Sequence, residues 1–318
     1  SKPLTLLEHL GGAPLFAVVG RGTVNPGDYE KLAAKIAEAF PQIDEIAKDK
    51  LKGEDKERYE KAKQDFIPLL KRLNETTAKL LLPALADGQG GFVFDAKWKS
   101  KRWQKAMPET EKAMPMPELA LLFGVSDADK LRKAMVEYRD IINDAITKAK
   151  TWPGADKIGD FQVPEPKEEN SKSGTLYSYP PPEEWGLDPK IVFTAGLSDK
   201  VAVLAPSHAL AERLLAPHPL KLDSGPLADR DRPMAGAILC DWAGLVDAAR
   251  PWVDYGVKKY FTLQASGPPP AGGADSVLDQ VHTVLDVLKC FHGMTAVTTV
   301  EDGVLVTHSE SVFRDLAK

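Results

Sequence analysis

The stretch Leu119-Ala-Leu-Leu-Phe-Gly-Val125, followed at once by Ser126-Asp-Ala-Asp129, decides the fold class of this chain. A continuous apolar run is typical of a buried β-strand, and a serine with an acidic residue three positions later is typical of a helix start. Apolar residues then recur at helical spacing as far as Ala145. The stretch therefore predicts a strand that leads directly into a capped, amphipathic helix.

The same pattern of an apolar run followed by a helix start occurs at two further places. Val201–Ala205 precedes Ser207 and a short helix, and Leu15–Val19 precedes a helix over residues 29–40. The apolar faces of the helices after Ser126 and Ser207 are shifted relative to each other. The sequence thus leaves two interpretations open, an internal repeat by duplication and a shared architecture without duplication.

The composition is that of an ordinary globular protein. The chain has 318 residues, of which 43% are hydrophobic and 27% charged, so it is long enough for two domains or for one large repeat-built domain. The net charge is -5, and basic residues are mixed with acidic ones. We therefore expect no nucleic-acid partner. We also expect no membrane-spanning segment, because no apolar run reaches the roughly 20 residues needed.

One dense basic run extends from Lys97 to Lys105 and contains Trp98 and Trp103. Runs of alternating aromatic and basic residues can bind single-stranded nucleic acid or polyanions by stacking and charge. A single charge run is weak support for such binding in a chain whose total charge is negative. The sequence instead favours a solvated helix face whose two tryptophans pack inward.

The order of apolar patterns predicts an α+β fold with mainly antiparallel sheets, packed by helices on one side. We expect two similar halves, at residues 1–150 and 190–318. Residues 151–189 are rich in Pro, Glu, Lys, Ser and Gly and are predicted to be a linker or crossover. A helical hairpin insertion is predicted near 41–85.

Local signals define further elements. The helical hairpin is expected to break near Gly53 and at Pro68. Near the C-terminus, Asp302-Gly303 lies between alternating β-branched residues, which is a strong signal for a β-hairpin. A short helix over Ser311–Leu316 is predicted to follow.

The densest potential catalytic cluster comprises Asp279, His282 and Asp286, at positions i, i+3 and i+7 of one predicted helix. This spacing could place an imidazole and two carboxylates on one face for zinc or manganese, as a metal-dependent hydrolase would require. The same helix also has a complete apolar stripe, so the polar residues are explained as its solvated side. We therefore expect no metal and no cofactor, and no catalytic residue is identified.

Aromatic and proline residues gather in the segment that contains Tyr177, Tyr179 and Trp185. Exposed aromatic side chains are common in binding surfaces, so these three are the predicted ligand-binding residues. The alternative is that they cover the edge of a sheet. The two cysteines, Cys240 and Cys290, are interpreted as buried free thiols, and a disulfide in an oxidising compartment is left open.

Three stretches, Pro117–Asp127, Ser198–Ala205 with the helix Ala211–Leu215, and Asp302–His308, together carry a resemblance. Their combination is similar to a group of uncharacterised bacterial proteins that are built from loosely repeated strand-helix units and are usually exported. The resemblance covers roughly residues 90 to 318 and implies an extracytoplasmic location, periplasmic or secreted, after removal of a signal peptide. It implies no catalytic residues, and the helical segment at 41–85 departs from the pattern.

The N-terminal sequence Ser1-Lys2-Pro3 fits a removed signal peptide and fits equally a domain boundary. The function that these observations favour is a non-catalytic extracytoplasmic scaffold or binding protein. Its partner would be another protein, or an apolar ligand held between sheet and helices. The alternative is the metal-dependent hydrolase that uses the helix face of Asp279, His282 and Asp286.

Overall fold

The computed structural model of the chain describes residues 2–22, 26–152, 161–220, 225–263 and 273–315. The fold is α+β, as the sequence predicts, with 45% of residues in helices and 25% in strands. The chain separates into two compact units. The sheet unit contains Ser1–Gly22, Gln89–Gly124 and Pro166–Lys318, and the helical unit contains Thr23–Gly88 and Val125–Glu165.

The strands belong to the sheet unit. They are β1 (Phe16–Arg21), β2 (Gln89–Asp95), β3 (Lys99–Ser100), β4 (Met114–Pro115), β5 (Glu118–Gly124), β6 (Lys167–Ser171), β7 (Gly174–Tyr179), β8 (Phe193–Leu197), β9 (Val201–Ala205), β10 (Gly236–Cys240), β11 (Phe291–Glu301) and β12 (Val304–Phe313). Within the described residues, ten of them form one sheet in the order β12-β11-β10-β1-β2-β5-β9-β8-β7-β6. Every neighbouring pair in this sheet is antiparallel. The two-residue strands β3 and β4 pair separately.

Helices occur in both units. The sheet unit contains α5 (His208–Leu215), α6 (Trp242–Leu263) and α7 (Gly273–Leu288), together with 3-10 turns at Thr5–His9 and Glu183–Trp185. The helical unit contains α1 (Pro26–Lys50), α2 (Glu54–Thr76), a π-helical turn at Thr77–Leu81, α3 (Leu82–Ala84) and α4 (Ala128–Ala149).

One face of the ten-stranded sheet forms the core of the sheet unit. Side chains at alternate positions of β1, β2, β5 and β9 point to this face, and Val93, Leu122 and Val203 are fully buried there. They pack with the leucines of the N-terminal 3-10 turn and with the apolar face of α5. Gln89, itself buried, ties the turn to β2, because its side chain accepts from the Leu6 amide at 3.2 Å.

The intervening positions of the same strands point to the opposite face. Leu119, Leu121 and Leu204 are each about half exposed on this face. Helix α6 lies over part of it, since α6 side chains line the same cavity as Phe94, which alternates with the core residue Val93. Helices of the sheet unit therefore pack on both faces, and the expectation of helices on one side was wrong.

The chain connectivity of two parts of the sheet is the same. In each part a strand leads through a pair of helices to a neighbouring strand, and a third strand follows beside it. In the first part the strands are β1, β2 and β5, and the helices are α1 and α2. In the second part the strands are β10, β11 and β12, and the helices are α6 and α7. The two parts meet where β1 pairs with β10. An internal repeat at the level of sequence stays a prediction.

The C-terminal hairpin is confirmed, with Asp302 and Gly303 at positive φ angles of 50° and 80° between β11 and β12. Two positive φ angles are what a type I′ hairpin turn requires, which is why Asp-Gly is favoured there. The predicted helix over Ser311–Leu316 was wrong within the described residues. β12 continues to Phe313, whose ring lies 5.4 Å from that of Phe291 across the hairpin.

The segment 151–189, predicted to be a linker, contributes β6 and β7 to the sheet. β6 reads Lys-Glu-Glu-Asn-Ser and is an edge strand, where charged residues are common because one side is solvated. The division into halves at 1–150 and 190–318 stays a prediction. Residues 153–160 of this segment lie outside the described residues.

The helical hairpin of the second unit consists of α1 and α2, so it begins earlier than residue 41. The predicted break near Gly53 is confirmed, whereas α2 continues through Pro68. Proline removes one hydrogen bond from the helix and its ring crowds the preceding turn, but side-chain contacts hold α2 to α4 and to the residues just after α4. Arg72 donates to Asp144 at 2.7 Å, and the rings of Phe66 and Trp152 lie 5.5 Å apart.

The helix starts are close to those predicted. Ser207 caps α5 by accepting from the Leu210 amide at 3.2 Å, as its position in the sequence suggests. For α4 the capping residue is Asp127, which accepts from the Lys130 amide at 2.9 Å, so the cap lies one residue after Ser126.

Candidate functional site

A cavity of about 890 Å³ lies in the sheet unit, on the face of the sheet opposite to the core. Its walls are the end of β2, the segment from β3 to the start of β5, and helices α6 and α7. The described residues that line it are Phe94, Ala96, Trp98, Trp103, Pro115, Met116, Pro117, Ile191, Pro206, Trp242, Leu245, Val246, Ala248, Ala249, Trp252, Leu285 and Leu288. All of them have apolar or aromatic side chains, so the cavity suits an apolar occupant.

Four tryptophans line this cavity. Two of their indole groups are fixed by hydrogen bonds to backbone carbonyls. Trp252 Nε1 donates to the Pro115 carbonyl at 2.7 Å, and Trp242 Nε1 donates to the Leu288 carbonyl at 3.0 Å. The Trp98 Nε1 is buried and has no acceptor among the described residues. A buried donor without an acceptor is costly, and the Nε1 atom itself exposes almost no surface, so it is the ring of Trp98 that lines the cavity.

The position of Trp98 is set by a buried carboxyl group. Glu118, at the start of β5, accepts hydrogen bonds from the backbone amides of Lys97 and Trp98, each at 3.0 Å. The Trp98 carbonyl in turn accepts from the Met116 amide at 2.9 Å. Glu118 is almost completely buried, and its hydrogen bonds with the two amides compensate for the solvation that its carboxyl group loses. Glu118 is therefore a positioning residue for this wall of the cavity.

A second buried carboxyl group, Asp95, lies opposite Glu118 in the register of β2 and β5. It accepts from Arg213 of α5 at 2.8 Å and pairs with Lys97 at 2.9 Å. The charge of Asp95 is thus balanced within the fold. This ion-pair network is structural, because it joins the strand end to α5 and to the segment that carries Trp98.

The basic run from Lys97 to Lys105 is not a helix, contrary to the sequence-based expectation. It contains the short strand β3 and turns, which are held by contacts with residues 185–188. The Asp188 amide donates to the Trp103 carbonyl at 2.9 Å, and the Lys105 amide donates to the Gly186 carbonyl at 2.7 Å. Trp98 and Trp103 do face an apolar environment, the cavity, while the cationic side chains are exposed.

Two of the three predicted metal candidates, His282 and Asp286, have partners on α6, and Asp279 is exposed on α7. His282 Nε2 lies 2.6 Å from Asp254 Oδ1, and Asp286 contacts Arg250. The Asp279 backbone carbonyl accepts from the Thr283 hydroxyl. Within the described residues, no group of three or more His, Cys, Asp or Glu side chains could hold a metal ion. These contacts give the polar face of α7 a structural role in holding the two helices together.

The predicted ligand-binding residues Tyr177, Tyr179 and Trp185 do not form one site. Tyr177 is buried in β7, and Trp185 is exposed in the 3-10 turn. Tyr179 lines a smaller apolar cavity of about 490 Å³ on the sheet, together with Phe193. A role of these three residues in ligand binding stays a prediction, and it does not include the tryptophans of the larger cavity.

The two cysteines are free and half-buried. Burial, and then the charge of Asp241, raise the pKa of the Cys240 thiol. A thiol with a raised pKa is protonated at neutral pH and is a poor nucleophile. Cys240 is therefore not an activated catalytic cysteine.

The sequence pattern predicts Trp98 and Trp103 to be packing residues of a helix. The predicted site residues include neither Trp242 nor Trp252. A usable signal was present, since Leu245, Ala249 and Trp252 follow each other at helical spacing and give α6 an apolar face. The partner of that face depends on the strand order and is not visible in the sequence.

Comparison of this chain with models of protein families, with curated proteins and with solved structures gave no match. Among the described residues, none of the helices combines the length and the apolar character that crossing a bilayer requires. The geometry of the site is therefore the basis for a functional proposal.

Proposed function

We propose that this protein binds an apolar small molecule in the tryptophan-lined cavity and acts as a non-catalytic, extracytoplasmic binding protein. The single observation that carries the proposal is a cavity of about 890 Å³ whose described lining is entirely apolar or aromatic. Ligand pockets for small molecules have volumes of roughly 300 to 1,000 Å³ and are mainly apolar. The extracytoplasmic location rests on the resemblance to exported proteins.

The construction of the cavity also supports binding. Hydrogen bonds to the backbone fix the indoles of Trp242 and Trp252, so their rings need little ordering when a ligand enters. Three of the four tryptophans are half-buried, and Trp103 is 39% exposed. A partly exposed lining residue marks the side at which the cavity opens to solvent. A bound molecule would remove further aromatic surface from water, which favours binding.

The test is a titration with a neutral, apolar fluorescent probe, N-phenyl-1-naphthylamine. We expect saturable binding with energy transfer from tryptophan. The variant Ala249→Trp adds an indole to the lining of the cavity and is expected to lower the affinity at least about tenfold. The matched control is Ala209→Trp, on the exposed side of α5 and outside the cavity, which should bind as the unchanged protein does.

Two outcomes would contradict this proposal. The first is the absence of saturable binding to the unchanged, folded protein. The second is equal affinity of the Ala249→Trp and Ala209→Trp variants. Circular dichroism and thermal unfolding of both variants show whether each is folded. For the location, cell fractionation against a cytoplasmic marker is the measurement, and recovery of the chain only with that marker would overturn the extracytoplasmic proposal.

A further inference from the structure

Four cationic side chains beside the cavity have no ionic partner. They are Lys99, Lys101, Arg102 and Lys105. In the part of the chain that the structure describes, none of them forms an ion pair, whereas Lys97 of the same run pairs with Asp95. All four are exposed. In a chain with a net charge of -5, this is a local concentration of unbalanced positive charge.

The cationic residues are close in sequence to two residues that line the cavity. Trp98 and Trp103 line the cavity, and the cationic residues lie between and after them. Because Trp103 is partly exposed, the charged run lies at the side where the cavity meets solvent. The charged run also borders the lining across β3 and β4, because Lys99 is the register partner of the lining residue Pro115.

Nearby carboxyl groups form no ion pair with these four cations in the described structure. Residues 96–106 contain no acidic residue. Asp188 accepts a hydrogen bond from the Ser100 hydroxyl and another from the Lys190 amide. Exposed glutamates lie on either side: Glu183 and Glu184 in the adjoining turn, and Glu109 and Glu111 next to Thr110, which donates to the Lys101 carbonyl. Among the described residues, none of these glutamates forms an ion pair with the four cations. The charge thus remains available to an external anion.

The apolar lining of the cavity and the four cationic side chains together indicate the chemistry of the ligand. A single-stranded nucleic acid would need aromatic faces open along a basic groove, whereas three of the four tryptophans here are half-buried and Trp103 is 39% exposed. A neutral apolar molecule would leave the four cations unused. A molecule with an apolar chain and an anionic head uses both, because the chain loses contact with water and the head accepts charge-assisted hydrogen bonds.

We infer that the ligand is a monomeric, single-chain anionic amphiphile. Its chain occupies the tryptophan-lined cavity, and its head group lies at Lys99, Lys101, Arg102 and Lys105. This inference rests on the proposed function and specifies the class of ligand. It assigns the basic run a role in selecting the head group.

The experiment compares three ligands of one chain length on the full chain, below their micelle concentrations. These are tetradecanoate, tetradecanol and tetradecyltrimethylammonium, and binding is measured by tryptophan fluorescence and calorimetry. We expect the carboxylate to bind at least about tenfold more tightly than the alcohol, and the cation most weakly. The preference should shrink when salt is raised from about 0.05 M to about 0.5 M, because exposed charges are screened. Shortening the chain by one methylene should cost about fourfold in affinity.

A double variant tests the assigned head-group site. Lys101→Gln with Arg102→Gln should reduce the preference for carboxylate over alcohol to near one. The matched control, Lys35→Gln with Lys52→Gln, changes the net charge equally at exposed positions of the helical unit and should keep the preference. If both double variants lose the preference equally, the head group is not held at the assigned residues.

The possible failures are distinguishable. Equal binding of carboxylate and alcohol would overturn this inference and leave the proposed function standing. Absence of binding by all three ligands and by the neutral probe would overturn both. Binding to phosphatidylglycerol vesicles but not phosphatidylcholine vesicles, without binding of monomeric tetradecanoate, would show that the surface serves a membrane and would overturn the inference.

Discussion

The two faces of the ten-stranded sheet are built from the same strands but differ in how far they are covered. We call the face that carries the buried core the closed face, and the opposite face the open face. On β5, Leu122 is 0% exposed and its neighbour Leu121 is 44% exposed, and on β9, Val203 is 0% exposed and Leu204 is 48% exposed. The closed face packs with the N-terminal turn and α5. The open face carries the tryptophan-lined cavity under α6.

The difference shows that apolar residues on both sides of a strand need not serve the same purpose. The closed face removes apolar surface from water within the chain and supplies stability. The open face retains apolar surface that is exposed or lines a cavity, which a folded chain keeps when something else covers it. If the proposed function is right, stability and ligand binding belong to opposite faces of one sheet.

The largest expected effect comes from a matched pair of substitutions on β5. Leu122→Ala should lower the free energy of unfolding by about 2–5 kcal/mol, because it leaves a cavity among fully buried side chains. Leu121→Ala should lower it by less than about 1 kcal/mol, because that side chain is half exposed already. Urea denaturation followed by tryptophan fluorescence measures both. Five of the six tryptophans lie in the sheet unit, so the signal reports on this unit. Equal losses in the two variants would show that the faces do not differ in packing.

A smaller effect is expected at Glu118, which links the closed side of the sheet to the cavity wall. Glu118→Gln should cost about 1–3 kcal/mol in unfolding free energy, because one Glu118 oxygen accepts from both the Lys97 and the Trp98 amides, and a neutral amide oxygen accepts these hydrogen bonds more weakly than a carboxylate oxygen does. The affinity for the neutral probe should also fall, because Trp98 is less well positioned. The control is Glu111→Gln, at an exposed position of the same connection. A loss of stability with unchanged probe binding would show that Glu118 does not position the cavity wall.

The smallest expected effect is a pH dependence of the unfolding free energy. It comes from His9, in the N-terminal 3-10 turn that packs on the closed face. Burial lowers the pKa of His9 below its ordinary value of 6.5, although its hydrogen bond to the Leu214 carbonyl acts in the opposite direction. The unfolded chain therefore binds this proton at a higher pH than the folded chain does. The contribution of His9 to stability is complete above pH 6.5 and is lost as the pH falls toward the folded pKa.

The measurement is the unfolding free energy from about pH 7.5 down to about pH 5.5. The variant His9→Asn should lose less stability over this range than the unchanged protein does. The control His308→Gln removes an exposed histidine from β12 and should keep the full pH dependence. Identical slopes for all three proteins would exclude His9 as the titrating group.

Much of the fold was predictable from the sequence because its signals are local. The apolar run before Val125, the cap at Ser207 and the Asp302-Gly303 turn depend on residues a few positions apart. Predictions were wrong where local patterns were ambiguous or polar. The charged edge strand β6 has no alternation of apolar residues, and the end of β12 reads equally as a short helix.

The sequence by itself determined the α+β class, most strands, the helix starts and the C-terminal hairpin, because strand alternation, capping and turn geometry act between near neighbours. Only the tertiary structure decided which face of the sheet stays open and which aromatic residues meet there. Trp252 reaches the Pro115 carbonyl across 137 residues of chain. Contacts at that separation are set by the order of strands in the sheet, and no local pattern encodes that order.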